Sequence, residues 1–336
     1  MNLVFFGGSI TWGAGATCYE KSWASLVTEY LRHRLAPAEL KVFNAAISGT
    51  GTAFGVFRLE QHVLPLEPDL IFVEFAVNDS AAAMLDRSQV LATLDYIIRT
   101  LLVANPQIRI VLLYSAMKDW FACAAVHEEI ARRFNILSID LQSHFRSLVE
   151  SSRYTWEQLM VDDVHPSDLG HEIYAQHLIG SLERDWPAIV RPQQLSPLVT
   201  SFRFFRPRIV GFEGVRLYGA WTQRRVDDKY KHLDFMRVPS MLYSDVPGNV
   251  LEWDFEALHF GLYHLLDRNC GICRIQIDDE PPIMQDFFYP TDGEFLSFVS
   301  RFGCSTKPHR LTVEVTSEKN EGSGAVGFGL AGLLMD

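Results

Sequence analysis

Cysteine is scarce in this chain. There are five in 336 residues, odd in number and scattered, which is not the spacing of a disulfide framework. No apolar run approaches the roughly 20 residues a membrane-spanning helix needs. The first apolar stretch, Leu3 to Phe6, is far shorter than a secretory h-region and has no basic segment before it. Together these absences lead us to expect a reducing, cytoplasmic setting and no membrane contact. Positive charge is also thin: 30 basic residues against 41 acidic ones leave a formal charge of −11, and the longest basic cluster is Arg32-His33-Arg34. A nucleic-acid partner normally requires a basic patch or stripe, so none is expected. A strongly anionic substrate would be repelled at long range, and a neutral one fits better.

The glycine loops exclude further chemistries. From Gly8 the phosphate-loop spacing reaches Gly13, but Ala14 stands where that loop needs lysine. Gly13 and Gly15 begin a dinucleotide fingerprint that fails at Cys18. Thr11 occupies the glycine position of an α/β-hydrolase nucleophile elbow. Cys270-Gly271-Ile272-Cys273 has metal-type spacing, yet only Cys304 remains in that half as a third thiol, and His259 and His264 do not complete a set. A structural zinc needs four ligands. Neither a metal nor an organic cofactor is expected.

What is present is an ordinary globular composition, 48% apolar and 21% charged, at a length that suits two domains. In the first half short apolar runs alternate with helical patterns. Strands are expected at Leu3–Phe6, Lys41–Asn44, Leu70–Phe75, Arg109–Tyr114 and Ile136–Ile139. Helices are expected over Ser22–Leu35, Ala53–Leu64, Gln89–Val103, Ala122–Phe134 and Ser167–Leu182. That alternation predicts an α/β fold, a doubly wound, flavodoxin-like parallel sheet, over residues 1–188. A linker-like stretch containing Trp186-Pro187 and Arg191-Pro192 follows. Beyond it short strands, among them Val250–Phe255, Cys273–Ile277, Leu311–Val315 and Val326–Leu330, are separated by turn material such as Pro247-Gly248 and Asp292-Gly293. They predict an all-β sandwich over residues 198–336.

Four elements carry chemistry, each at an expected strand end or loop. Gly7-Gly8-Ser9 follows the first strand, and a serine hydroxyl becomes a useful nucleophile once a base takes its proton. Taken alone, the segment reads equally as a turn with a capping serine. Asn44 to Gly49 follows the second strand and Ala76-Val77-Asn78-Asp79 the third. Acyl transfer needs donors aimed at the oxygen that becomes negative; the N–H groups of Ser9 and Gly49 and the amide of Asn78 can supply them. By itself Asn78-Asp79 more commonly makes an Asx turn. Asp162-Asp163-Val164-His165 precedes the last helix. A histidine can accept the serine proton and return it, and a carboxylate bonded to its other nitrogen fixes the tautomer. Asp163 is an alternative to Asp162; the spacing favours Asp162.

The order of these four elements resembles the SGNH/GDSL hydrolase superfamily over roughly the first 185 residues. The resemblance maps its blocks onto Ser9, Gly49, Asn78, Asp162 and His165, and implies Ser9 as nucleophile, His165 as base, Asp162 as its orienting carboxylate, and Ser9, Gly49 and Asn78 as the oxyanion hole. Two positions depart from the family pattern: Gly8 where Asp is usual, and Ala76 where Gly is usual. Trp12, three residues past Ser9, is a candidate substrate-binding residue limiting the acyl pocket to short chains, with packing under the first helix as its other role. The second domain is similar to jelly-roll domains attached to some carbohydrate esterases. The combined expectation is hydrolysis of short acyl groups, O-acetyl above all, from an oligosaccharide or small-molecule ester, by a chain that forms a homo-oligomer or acts alone. Acyl transfer or thioester cleavage on the same machinery, and a carbohydrate-binding or interaction protein with a vestigial hydrolase half, are the rival readings.

Overall fold

The structure, a computed structural model, describes residues 1–81, 86–118, 123–189, 195, 197, 203–225, 240–290, 295–304 and 307–336. Ala122 of an expected helix, Arg191-Pro192 of the expected linker, residue 198 at the expected start of the second domain and the Asp292-Gly293 turn lie outside them. The chain divides into two compact units, Met1–Arg203 and Phe204–Asp336.

In the first unit β1 (Asn2–Gly7), β2 (Lys41–Asn44), β3 (Leu70–Glu74), β4 (Arg109–Tyr114) and β5 (Leu137–Asp140) form one sheet in the order β2-β1-β3-β4-β5. Every pairing is parallel. A parallel strand covered on both faces has no solvent side, so it reads as a continuous apolar run rather than an alternation; β3 is buried at all five positions. Side chains still alternate between the two faces. Leu3 and Phe5 pack with Trp23, Val27 and Leu31 of α2 (Trp23–Leu35) and with Tyr174, Leu178 and Leu182 of the long C-terminal helix Asp168–Ile189. Phe6 points the other way and meets Phe75 edge-on at 4.9 Å.

The helices between strands include α1 (Ser9–Trp12), α3 (Thr52–His62), α4 (Ala76–Ala81), α5 (Arg87–Ala104), α6 (Cys123–Phe134) and α7 (Leu141–Glu150). The last is absent from the sequence reading, although Leu141, Phe145 and Leu148 recur at helical spacing and are all buried. A brief turn, Trp156–Leu159 (α8), leads to the final helix, α9. The strand order is that of a doubly wound sheet whose topological switch lies at β1, where β2 falls to one side and β3 to the other. Ligands in such sheets sit outside the carboxyl ends of the strands at that switch.

The second unit is all β, as its turn spacing predicts. One antiparallel sheet runs β13-β12-β15-β10-β7, with β7 Val215–Tyr218, β10 Val250–Phe255, β12 Ile272–Ile277, β13 Ile283–Asp286 and β15 His309–Val315. The other runs β14-β11-β16-β9-β8, with β8 Thr222–Arg224, β9 Met241–Ser244, β11 Phe260–Leu266, β14 Phe295–Arg301 and β16 Phe328–Met335; β6 (Arg208–Val210) adds to β16. Phe255 of the first sheet lies 4.6 Å from Phe260 of the second, ring to ring, and such contacts join the sheets as a sandwich. On β15, His309, Leu311, Val313 and Val315 point inward. The outward face carries ion pairs such as Arg216–Asp254, Arg310–Asp254 and Arg274–Glu314. The last expected strand, Val326–Leu330, is displaced to Phe328–Met335: both Gly329 and Gly332 sit inside it, where glycine weakens the strand signal.

Candidate active site

The serine turn is held by its own backbone. The chain leaves β1 at Gly7 and enters α1 at Ser9; Trp12 N–H donates to Gly8 O at 3.0 Å and Ala14 N–H to Ser9 O at 2.9 Å. Trp23 fixes α1 from below, its indole N–H donating to Ile10 O at 3.0 Å from a fully buried position. The packing role under the first helix therefore belongs to Trp23. Trp12 stays 41% exposed one turn after Ser9.

The far end of the chain supplies the base. Ser9 Oγ lies 2.8 Å from His165 Nε2, across 156 residues of sequence. His165 Nδ1 lies 2.7 Å from Asp162 Oδ2. The carboxylate is shared with the backbone: Asp162 Oδ1 accepts from the N–H of Val164 at 2.8 Å and of His165 at 2.7 Å. Partial burial pushes the Asp162 carboxyl upward, but the bonds from the His165 ring and these two amides outweigh it and hold it below the usual carboxylate range. An ionised Asp162 accepts only, so Nδ1 carries the ring proton and Nε2 is left to accept from the serine hydroxyl. Asp163 points elsewhere, exposed and 3.8 Å from Lys118. Trp156 Nε1–H donates to Asp162 O at 3.1 Å and steadies the loop.

The two other predicted donors come from neighbouring strand ends. A Cβ built at Gly8 would meet Asn78 Oδ1 at 2.2 Å and Thr50 O at 3.3 Å, so the Asn78 carboxamide and the Gly49-Thr50 loop flank the serine turn. Among the described residues the Asn78 carboxamide has no hydrogen-bond partner. Gly49 is exposed at φ +73°, in the left-handed region. Ala76, by contrast, is fully buried, so its methyl packs in the core.

Several residues to which the sequence assigns no role support this cluster. Arg58 is fully buried and donates to Ala45 O at 2.6 Å and Gly7 O at 3.3 Å, tying the loops that carry Gly49 and Ser9. Asp168 accepts from Thr17 N–H and Lys21 Nζ, docking the loop after α1 onto α9. His171 accepts from Trp23 N–H and donates to Ala14 O, and burial lowers its pKa to about 4, so it is neutral. Arg58 carries no obvious sequence signal, because it acts across a long separation; Asp168 and His171 lie in the stretch His165-Pro166-Ser167-Asp168-Leu169-Gly170-His171, which resembles the final block of the SGNH/GDSL family. No cluster of three or more His, Cys, Asp or Glu side chains placed to hold a metal ion is found among the described residues.

Glu74, the last residue of β3, lies beneath the turn and is 1% exposed. Thr11 Oγ1 donates to its Oε2 at 2.9 Å, while its Oε1 has no hydrogen-bond partner. Burial, opposed by the bond from Thr11, raises its pKa from 4.5 to about 7. The neutral acid is thus the form the fold prefers. Its stabilising contribution is fully present below pH 4.5 and is lost as pH rises through about 7. At about 1.4 kcal/mol per pH unit the loss amounts to about 3 kcal/mol. Urea unfolding of wild type and Glu74→Gln across pH 4.5 to 8 checks this. The wild-type stability should fall relative to the variant by about that amount; parallel curves would remove the argument.

A hydroxyl, an imidazole and a carboxylate in line, with amide donors beside the hydroxyl at the switch point of a doubly wound sheet, make a carboxylic-ester hydrolase site. The profile of the GDSL-like lipase/acylhydrolase family matches residues 5–173, and the chain belongs to that family. No curated protein matches the chain. Among solved structures it is similar to a two-domain esterase active on acetylated mannans, with a TM-score of 0.86 at 22% identity, covering all of this chain and 91% of that one. The structure of such an esterase co-crystallised with mannopentaose gives 0.85, also at 22% identity, over all of this chain and 90% of that one. That likeness establishes the two-part fold along the whole chain.

Proposed function

We propose that this chain removes short acyl groups, O-acetyl above all, from carbohydrate esters through an acyl-Ser9 intermediate. The observation that carries the reading is the continuous Ser9–His165–Asp162 hydrogen-bond line. His165 Nε2 takes the proton as Ser9 Oγ attacks the ester carbonyl. The Ser9 and Gly49 N–H groups and the Asn78 amide hold the resulting oxyanion, each such donor being worth about 10²- to 10³-fold in rate. Collapse breaks the bond to the sugar oxygen, which takes the proton from His165 and leaves as the free hydroxyl. Water, deprotonated by the same nitrogen, then releases the acid. Trp12 borders this site and limits the acyl chain. The substrate class rests on the esterase acting on acetylated mannans that shares the fold over the full length. We place the hydrolase unit at 1–188 and the sandwich at 198–336. The scattered, odd-numbered cysteines favour a cytoplasmic setting, where the substrate is a soluble acetylated oligosaccharide.

Acetate release from acetylated manno-oligosaccharides, beside chromogenic acetyl and hexanoyl esters, tests the reading. Release from the sugar with acetyl strongly preferred is expected. Cleavage of the chromogenic esters alone would remove the sugar, and equal rates on both chain lengths would remove the short-acyl assignment. Trp12→Ala should raise the relative rate on hexanoyl; an unchanged ratio would take Trp12 out of the acyl pocket.

A further inference from the structure

A second histidine–aspartate pair lies in the same unit, away from the serine. His127 of α6 and Asp79 of α4 have side chains 0% and 1% exposed, with Nε2 and Oδ2 2.8 Å apart. His127 Nδ1 is buried without a partner. An unpaired buried acceptor is better tolerated than an unpaired N–H, so the proton sits on Nε2 and is donated to Asp79. Closed off from solvent, this ring has no route to substrate. The carboxylate is doubly used: Oδ1 accepts from Thr52 N–H at 2.8 Å, and the Thr52 hydroxyl lies 3.0 Å from Oδ1 and 2.9 Å from Oδ2. Thr93 Oγ1 of α5 donates to that hydroxyl at 2.8 Å.

The placement of this network is informative. Thr52 opens α3, whose N-cap, Gly51, offers no side chain, so Asp79 caps the helix from outside. A Cβ at Gly51 would come within 2.3 Å of Asp79 Oδ1; the glycine leaves room for the carboxylate. Gly49 lies two residues before Gly51, and Asn78 immediately precedes Asp79. One buried carboxylate thus joins the two segments that carry the proposed non-serine oxyanion donors, and His127 anchors it to α6. Burying such a charge is costly unless it is fully hydrogen-bonded.

We propose that the Asp79–His127 pair is a positioning device for the oxyanion hole, fixing Gly49 and Asn78 relative to Ser9. The inference rests on the hydrolase reading above. A displacement of about 1 Å in such a site costs about 10²-fold in rate. His127→Phe, which removes the donor, is therefore expected to lower kcat about 10- to 100-fold with KM nearly unchanged. It should weaken binding of an alkyl boronate, which mimics the tetrahedral oxyanion, by a similar factor. His127→Gln, which keeps an N–H near the same place, should restore most of both and also stands in if the Phe variant does not fold. Folded variants with lowered thermal midpoints but wild-type kcat and boronate affinity would reduce the pair to a structural role and overturn the proposal. The crystal structure of the variant gives an independent reading: Asn78 and Gly49 should shift away from Ser9. If wild type hydrolyses no ester, the functional reading fails, while unmoved donors in that crystal would overturn this one.

Discussion

Ser9→Ala is expected to lower kcat/KM for every ester the protein cleaves by about 10⁴- to 10⁶-fold, the range seen when the nucleophile of a serine–histidine–aspartate set is removed. The size follows from the role proposed for the hydroxyl: without it no acyl-enzyme forms, and the remaining donors stabilise only the slower direct attack of water. The same substitution should leave the fold intact. Among the described residues the one side-chain bond of Ser9 runs to His165, and alanine suits the first turn of a helix. Steady-state kinetics together with thermal unfolding separate the two quantities. Retention of more than about a hundredth of the activity in a folded variant would mean that another group attacks the ester.

The second large effect concerns Gly8, where the family pattern usually has aspartate. Restoring that residue is expected to damage the enzyme. Gly8 has φ −97° and ψ −151°, extended backbone open to any residue, so strain is not the obstacle. The obstacle is space, since a Cβ there would lie 2.2 Å from Asn78 Oδ1. That oxygen ends a flexible side chain, and the chain yields by rotating away, which costs little stability. It does cost the proposed oxyanion donor, about 10²- to 10³-fold in kcat. Gly8→Ala and Gly8→Asp should both show this loss with thermal midpoints near wild type. If Gly8→Asp matched wild-type kcat, Asn78 could not be the donor in the position the structure gives it.

The family's usual residue is expected to fail here because positions 8 and 78 share one space, and that coupling marks what sequence could and could not reveal. The strand runs were legible because a sheet covered on both faces demands uninterrupted apolar residues. Ser9, Gly49, Asn78, Asp162 and His165 were legible because such a sheet places its strand ends, and hence its chemistry, at one edge. The preference for Asp162 over Asp163 was also local, a matter of three-residue spacing, and the geometry agrees. Helix α7 carries a local signal, with Leu141, Phe145 and Leu148 buried at helical spacing. In the sandwich, β11 was harder. Buried at six of its seven positions, it lacks the alternation that marks a half-exposed strand, and a glycine and a histidine interrupt its apolar run.

By itself, then, the sequence determined the fold class, the order of the elements and the residues of the serine line, since each depends on patterns within a few neighbouring residues. Only the tertiary structure decided which indole packs beneath α1, what crowds position 8, and which partners Glu74, Arg58, Asp79 and His127 meet. Their roles arise from contacts between strand ends and helices some 48 to 63 residues apart for Glu74 with Thr11, Arg58 with Gly7 and Asp79 with His127. A buried charge becomes tolerable, and useful, only through partners that the folded sheet brings to it.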